Sequence, residues 1–310
     1  MSEQQAPPKL LGVVSPSAPI TLESERESRE TRLQNSTTNL STYDLGLKVG
    51  SNVRACAGYM AGTAQERLDD LHAMYRDPEV QWVIASRGGR SANQLLEGLD
   101  FDLVNRSKKP LIGFSDITIL LNALYAQNRQ VQIHGPMITA GLDKLDETTY
   151  ESLLAVLERH EQSFDLKEFG EVWKSGNASG ILLGGNLMTV ECLLGTPYEP
   201  DWRSSIFFWE EVGEPISRLH RTLVHLKHAG VWDKISGMVI GNVHNITGDS
   251  PEESAYAREV NAFLKEFFSS YTFPRIKTEC FGHDVRTQIS LPVGGVATIT
   301  ASELRLSFPD

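Results

Sequence analysis

Apolar and polar positions change their spacing along this chain, and each change predicts an element. Lys9 to Val14 form an apolar run ended by Ser15-Pro16-Ser17-Ala18-Pro19, which predicts a strand and a tight loop. Residues 22–35 are dense in charge and read as a surface helix, and residues 36–62 are less regular. Thr63-Ala64-Gln65-Glu66 has capping-box spacing, and Leu68, Leu71 and Tyr75 give the helix behind it an apolar face until Asp77-Pro78 stops it. Trp82 to Ala85 predict a strand that runs into Ser86-Arg87-Gly88-Gly89-Arg90, and Asn93 to Leu99 begin another helix. Residues 111–114 read as a short buried strand. Ser115 follows at once, and then Ile117, Leu120, Leu121, Leu124 and Tyr125 recur at helical spacing. This alternation predicts a parallel sheet with helices on both faces, whose ligands sit outside the carboxyl ends of the strands.

Beyond an extended stretch at residues 131–136 and a helix over 147–160, residues 161–178 are polar and mixed. They are the best linker, so the expected division is 1–160, a linker at 161–178, and 179–310. The second part opens with a strand from Gly180 to Leu183 that leads into Gly184-Gly185-Asn186, and a helix over residues 187–194. Ser205 to Trp209 predict a strand ending in Glu210-Glu211. Ile216, Leu219, Leu223 and Leu226 mark an amphipathic helix with Gly230 placed to cap it. A strand over 237–243, a helix over 252–271 and a closing hairpin at 297–300 and 304–308 complete the pattern.

Composition narrows the partners. Lys plus Arg number 29 and Asp plus Glu 40, a net charge of −11 over 310 residues. No general excess of cations exists to neutralise phosphates, which argues against nucleic acid or an anionic membrane as the main partner. Three distant cysteines, Cys56, Cys192 and Cys280, suit a reducing compartment. The N-terminal stretch lacks a basic region followed by a long apolar core, so neither a secretory leader nor a membrane span is expected, and the location expected is cytoplasmic.

The chemistry centres on Ser115. A serine on a strand-to-helix corner resembles a nucleophile elbow, although Ile117 stands where the usual G-x-S-x-G has glycine, and a serine there is also a common helix cap. A nucleophilic serine needs a base. His134 and His283 both sit in glycine-bearing loops after extended segments, while His72, His220, His225 and His228 lie on predicted helices, and His160 and His244 have no supporting context. Glu210, Glu211 and Glu214 are the acidic groups placed to orient a base. Backbone donors for an oxyanion are available from Asp116 N–H and the Gly88-Gly89 turn. Arg87 or Arg90 would suit a substrate carboxylate. A phosphate loop is weak, because neither G-x-x-x-x-G-K-[ST] nor G-x-G-x-x-G occurs, and no metal-ligand spacing stands out.

Taken together, these pieces resemble the LD-carboxypeptidase family of serine peptidases, which includes murein tetrapeptide carboxypeptidases and microcin C immunity peptidases. The resemblance runs from about residue 9 to 308. It rests on Gly12 to Ser17, Tyr59-Met60-Ala61-Gly62-Thr63, Arg87-Gly88-Gly89, Lys109 to Thr118, His134-Gly135-Pro136, Gly184-Gly185-Asn186-Leu187, Glu210 to Pro215, and Gly282-His283 with Leu291-Pro292-Val293-Gly294. It implies an N-terminal flavodoxin-like parallel-sheet domain, a C-terminal mixed α/β (β-rich) domain, and an active site between them. It also implies a Ser115, Glu210, His283 triad, an oxyanion hole from Gly89 and Asp116, no cofactor or metal, and a homodimer. Arg87, Arg90 and Asn186 are the expected substrate-binding side chains. The expected substrate is a murein peptide losing a C-terminal D-residue. An aminoacyl-nucleotide amide is the alternative, because Arg90-Ser91-Ala92-Asn93 departs from the Tyr-Gly that follows Arg-Gly-Gly in many murein-type members. An α/β protein that binds a ligand without catalysis is the rival of another class.

Overall fold

The computed structural model describes residues 8–20, 26–144 and 146–309. Its strands are β1 (Lys9–Val14), β2 (Leu45–Val49), β3 (Val80–Ala85), β4 (Leu111–Gly113), β5 (Gln132–His134), β6 (Gln162–Asp165), β7 (Gly170–Lys174), β8 (Ala178–Asn186), β9 (Ile206–Val212), β10 (Gly237–His244), β11 (Arg275–Thr278), β12 (Leu291–Val293), β13 (Val296–Ile299) and β14 (Glu303–Ser307). They form two sheets in a mixed α/β arrangement. The first has the order β12-β5-β4-β3-β1-β2, and the second β6-β14-β13-β8-β9-β10-β11-β7.

In the first sheet β1 to β5 run parallel in the flavodoxin-like order. Their carboxyl ends carry the Ser15–Ser17 loop, the Arg87–Arg90 turn and Ser115 to one edge. Leu11, Val13, Ile84, Ile112 and Ile133 point to one face of this sheet and form a core with Leu33, Leu40, Tyr150 and Leu153 from the helices Arg26–Ser41 and Glu147–Leu157. On the other face, Val83, Leu111, Leu120 and Leu124 join Leu182, Phe207 and Trp209 in one core that spans both sheets.

The helix Thr118–Asn128 lies inside that joint core, with residues 118–125 all buried. A helix that is apolar nearly all round belongs in such an interior. Its one buried amide does the polar work: Asn122 Nδ2 donates to Gly184 O at 2.8 Å, and Gly184 N–H donates back to Asn122 Oδ1 at 3.2 Å. Thr118 Oγ1 accepts from Asn186 N–H at 3.1 Å. The helix that starts at the serine corner is thereby fastened to β8, which pairs with β9.

Most expected elements are present, and the capping box at Thr63 and Glu66 closes as the spacing predicts. Five differences have local causes. Residues 36–62, read as less regular, hold the end of the helix Arg26–Ser41 and β2, whose Gly46 and Lys48 interrupt its apolar residues. Residues 93–99 hold only a 3-10 turn, Ala92–Leu95, because Asp100 caps a separate helix, Phe101–Ser107. The helix expected over 252–271 is two, Pro251–Arg258 and Val260–Phe267, meeting at Glu259. Residues 161–178, read as a linker, contain β6 and β7, the outermost strands of the second sheet, where half-exposed polar strands are tolerated. Finally β12 leaves the C-terminal part of the chain and pairs antiparallel with β5. Part of the helix expected over 22–35 lies outside the described residues. Among the described residues no helix is long and apolar enough to cross a membrane.

Candidate active site

Ser115 sits where β4 stops and the chain turns through a single 3-10 turn into the helix Thr118–Asn128. Its φ of +62° is left-handed, an uncommon state for a serine and the backbone signature of a nucleophile elbow. Glycines make the corner possible. A Cβ on Gly113 would stand 2.9 Å from Ile117, and one on Gly88 would stand 2.9 Å from the Ser115 Oγ. Bare backbone is therefore the only surface that fits opposite the hydroxyl.

His283 arrives from the other sheet, on the loop after β11. Gly282, with φ of +111°, lets this loop pass against β9, where a Cβ would stand 2.8 Å from that of Glu210. Asn242 Nδ2 donates to His283 O at 2.8 Å and steadies the loop from β10. The His283 Nδ1 lies 2.6 Å from Glu210 Oε2, and its Nε2 lies 3.0 Å from Ser115 Oγ. With Glu210 ionised, Nδ1 carries the hydrogen and donates it, which leaves the Nε2 lone pair facing the serine hydroxyl.

Glu210 is fully buried on β9. Burial alone would raise its pKa, but the positive charge and hydrogen bond of His283 outweigh burial and hold it below the usual carboxylate range. His283 shows the mirror effect. Burial pushes it down, and the charge of Glu210, its hydrogen bond and the charge of Glu211 push it further up, so it lies above an ordinary histidine.

The neighbouring residue, Asp116, commits its side chain to the surrounding loops. Its Oδ2 accepts from Ser17 Oγ at 2.5 Å, Ser91 N–H at 2.7 Å and Ala92 N–H at 2.8 Å. One carboxylate oxygen thus ties the serine corner to the end of the Arg87–Arg90 turn. Buried Arg67 braces the same turn through Ser91 O at 3.0 Å and Pro16 O at 2.9 Å. Ala18 N–H donates to Gly88 O at 3.3 Å. In a trans peptide the next N–H points the opposite way, so that of Gly89 is directed away from Ala18. The Asp116 N–H lies in the first turn of a helix, where no intrahelical acceptor is available.

These groups open into a cavity of about 680 Å³ that Ser115 and His283 line together with Arg87, Arg90 and Asn186. Asn186 is largely committed to structure: it caps the helix Leu187–Glu191 through Thr189 N–H and donates to Glu211 Oε1 at 3.0 Å. Glu211 also lines the cavity. Its oxygens accept from Asn186, Val212 N–H and Met188 N–H, and burial, with the charge of Glu210 beside it, pushes its pKa up to about 7. Glu214 pairs with Arg218 at 3.4 Å. Neither of these two carboxylates orients His283.

His134, the other histidine considered as a base, is fully buried among Phe114, Phe208 and Phe281, and burial lowers its pKa to about 4. It is a neutral packing residue. His72 accepts from Asp100 N–H, His220 packs on Phe263, His225 pairs with Glu191, His160 lies near Glu158, and His244 pairs with Asp284. Sequence reading missed Arg29, Arg32 and Arg218, which also line the cavity. Among the described residues no three metal-ligating side chains cluster.

Comparison with known proteins gives the family. Residues 11–135 match the LD-carboxypeptidase N-terminal domain and residues 179–299 the C-terminal domain. The chain is 31% identical over 297 residues to a probable murein peptide carboxypeptidase of Bacillus subtilis (strain 168), covering 94% of this chain and 89% of that protein. The chain belongs to the LD-carboxypeptidase family of serine peptidases. Among solved LD-carboxypeptidase structures, a muramoyltetrapeptide carboxypeptidase from Oxalobacter formigenes is similar at a TM-score of 0.82 and 26% identity, over 97% of this chain and 100% of that one. MccF in complex with glutamyl sulfamoyl guanosine shares the fold, with a TM-score of 0.84 at 23% identity over 98% of this chain and 97% of that one.

Proposed function

We propose that this LD-carboxypeptidase family member hydrolyses the amide bond to the C-terminal D-residue of a murein peptide. The observation that carries the reading is the continuous relay from Glu210 through His283 to Ser115 at the floor of an arginine-lined cavity. Ser115 Oγ attacks the scissile carbonyl carbon, and its proton passes to His283 Nε2. The oxyanion that forms is met by the N–H groups of Gly89 and Asp116. His283 then gives the proton to the amide nitrogen, the C–N bond breaks, and the D-residue leaves. A water deprotonated by His283 attacks the acyl-serine, releases the shortened peptide and restores Ser115. Glu210 keeps the imidazole in the tautomer this sequence needs. Arg90, beside the Gly88-Gly89 turn, with Arg87, suits the terminal carboxylate.

A second reading, cleavage of an aminoacyl-nucleotide amide, is favoured by the Arg90-Ser91-Ala92-Asn93 sequence and by the fold shared with MccF. Against it, Phe114 is the one Phe, Tyr or Trp among the described residues that line the cavity, so the walls offer little for a nucleobase to stack on. The location proposed is cytoplasmic, supported by three free cysteines, and the assembly a homodimer, supported by the family resemblance. Supplying wild-type protein with a murein tetrapeptide and, separately, with an aminoacyl sulfamoyl nucleotide tests the assignment. D-alanine release from the first is the expected result. Hydrolysis of the second alone would overturn it in favour of the second reading.

A further inference from the structure

The cavity is strongly cationic for a protein of net charge −11. Five arginines line it, against the carboxylates of Asp116, Glu211 and Glu214. Those carboxylates already have donors: backbone and hydroxyl groups fill Asp116, backbone and Asn186 groups fill Glu211, and Arg218 pairs with Glu214. Two of the arginines, Arg29 and Arg32, come from the helix Arg26–Ser41, away from the turn that carries Arg87 and Arg90.

This arginine wall is built rigidly. Positions 29, 32, 36 and 39 follow helical spacing and share one face. Along that face Arg32 Nη1 donates to Thr139 O at 3.1 Å, Ser36 Oγ to Ile138 O at 2.5 Å and Asn39 Nδ2 to Leu142 O at 3.1 Å. The segment they grip is itself fixed to the end of β3: Thr139 N–H donates to Ser86 O at 3.0 Å, one residue before Arg87. Arg32 Nε also lies 3.6 Å from Asp143. The guanidinium of Arg32 is therefore held in a set position, with the nearly buried Arg29 on the same helix face.

We infer that Arg29 and Arg32 form a binding site for a second carboxylate of the peptide substrate, inboard of its C-terminus. The inference rests on the peptidase reading above. A planar guanidinium held by its neighbours loses little freedom when it meets a carboxylate, and such charge-assisted pairs are strong and selective. Two anionic contacts at separate walls would select peptides carrying an acidic residue over neutral ones with the same C-terminus.

The test uses the Ser115→Ala protein, so that binding is read without turnover. Two synthetic tetrapeptides ending in D-alanine would differ only in whether an internal glutamyl α-carboxylate is free or amidated. The free carboxylate is expected to tighten Kd by about tenfold, the scale of one charge-assisted contact. Adding Arg32→Gln, at a half-exposed side chain, is expected to shrink that ratio towards one. Equal binding of the two peptides by the Ser115→Ala protein, or a ratio that Arg32→Gln leaves intact, would overturn the inference. The murein reading is judged separately, because wild-type protein that releases D-alanine from neither peptide would sink it.

Discussion

At the scale of single residues, the proposed mechanism requires His283 to be neutral and correctly oriented towards Ser115. Glu210 raises the His283 pKa, so the imidazolium persists to higher pH than in a free histidine. The acidic limb of kcat/KM is expected above about pH 6.5, with activity rising as pH rises through it. Glu210→Gln removes the charge that holds the pKa up. A pH–rate profile of that variant should show the limb displaced to lower pH and kcat reduced by about 10⁴-fold, the scale seen when an orienting carboxylate becomes an amide. An unmoved limb would mean that His283 is not the base. Ser115 was legible as a serine on a strand-to-helix corner, but the pattern left His134 and His283 equally open as bases, and only the family resemblance singled out His283. Arg29 and Arg32 were not legible. On a helix dense with charge they look like a solvated face, and only the 137–142 segment folding over them turns that face into a cavity wall.

At the scale of elements, the Asp116 side chain joins two loops that the reaction needs together. Its three bonds fix the Arg87–Arg90 turn, and with it the direction of the Gly89 N–H. Asp116→Ala should lower kcat by about 10²-fold, comparable to loss of one oxyanion donor, and leave the acidic limb where it is. Steady-state kinetics across pH separates this from damage to the triad, which would move the limb. In the first sheet β2, broken by Gly46 and Lys48, was missed, whereas β1, β3 and β4 were readable because each is a largely apolar run. The strands β6, β7 and β12 were not. The first two are outer strands with polar, half-exposed faces, and β12 holds three residues including Pro292, so its place is set by its partner β5 and not by its own pattern. Glu210 and Glu211 read as following a strand, whereas both lie within β9, which runs on to Val212.

At the scale of the whole molecule, the proposed triad draws its residues from both sheets, so its geometry depends on how they are joined. The buried Asn122 exchanges two hydrogen bonds with Gly184, on the strand next to that of Glu210. Asn122→Ala leaves both Gly184 groups without partners and should destabilise the fold by about 1–3 kcal/mol in denaturant titration. Because one core spans both sheets, unfolding should remain a single transition when followed by tryptophan fluorescence and circular dichroism together. Separate transitions would show that the halves are only loosely coupled. The sequence could indicate two parts, but the polar locks at Thr118, Asn122 and Asn186 are isolated residues until the fold brings them face to face.

The central claim is that Ser115, activated by His283 and Glu210, is the nucleophile. The most direct measurement is the rate of D-alanine release from a murein tetrapeptide by Ser115→Ala against wild-type protein at equal concentration. The account predicts a loss on the order of 10⁶-fold in the variant, the scale for removal of a serine nucleophile. Full activity in Ser115→Ala would contradict it.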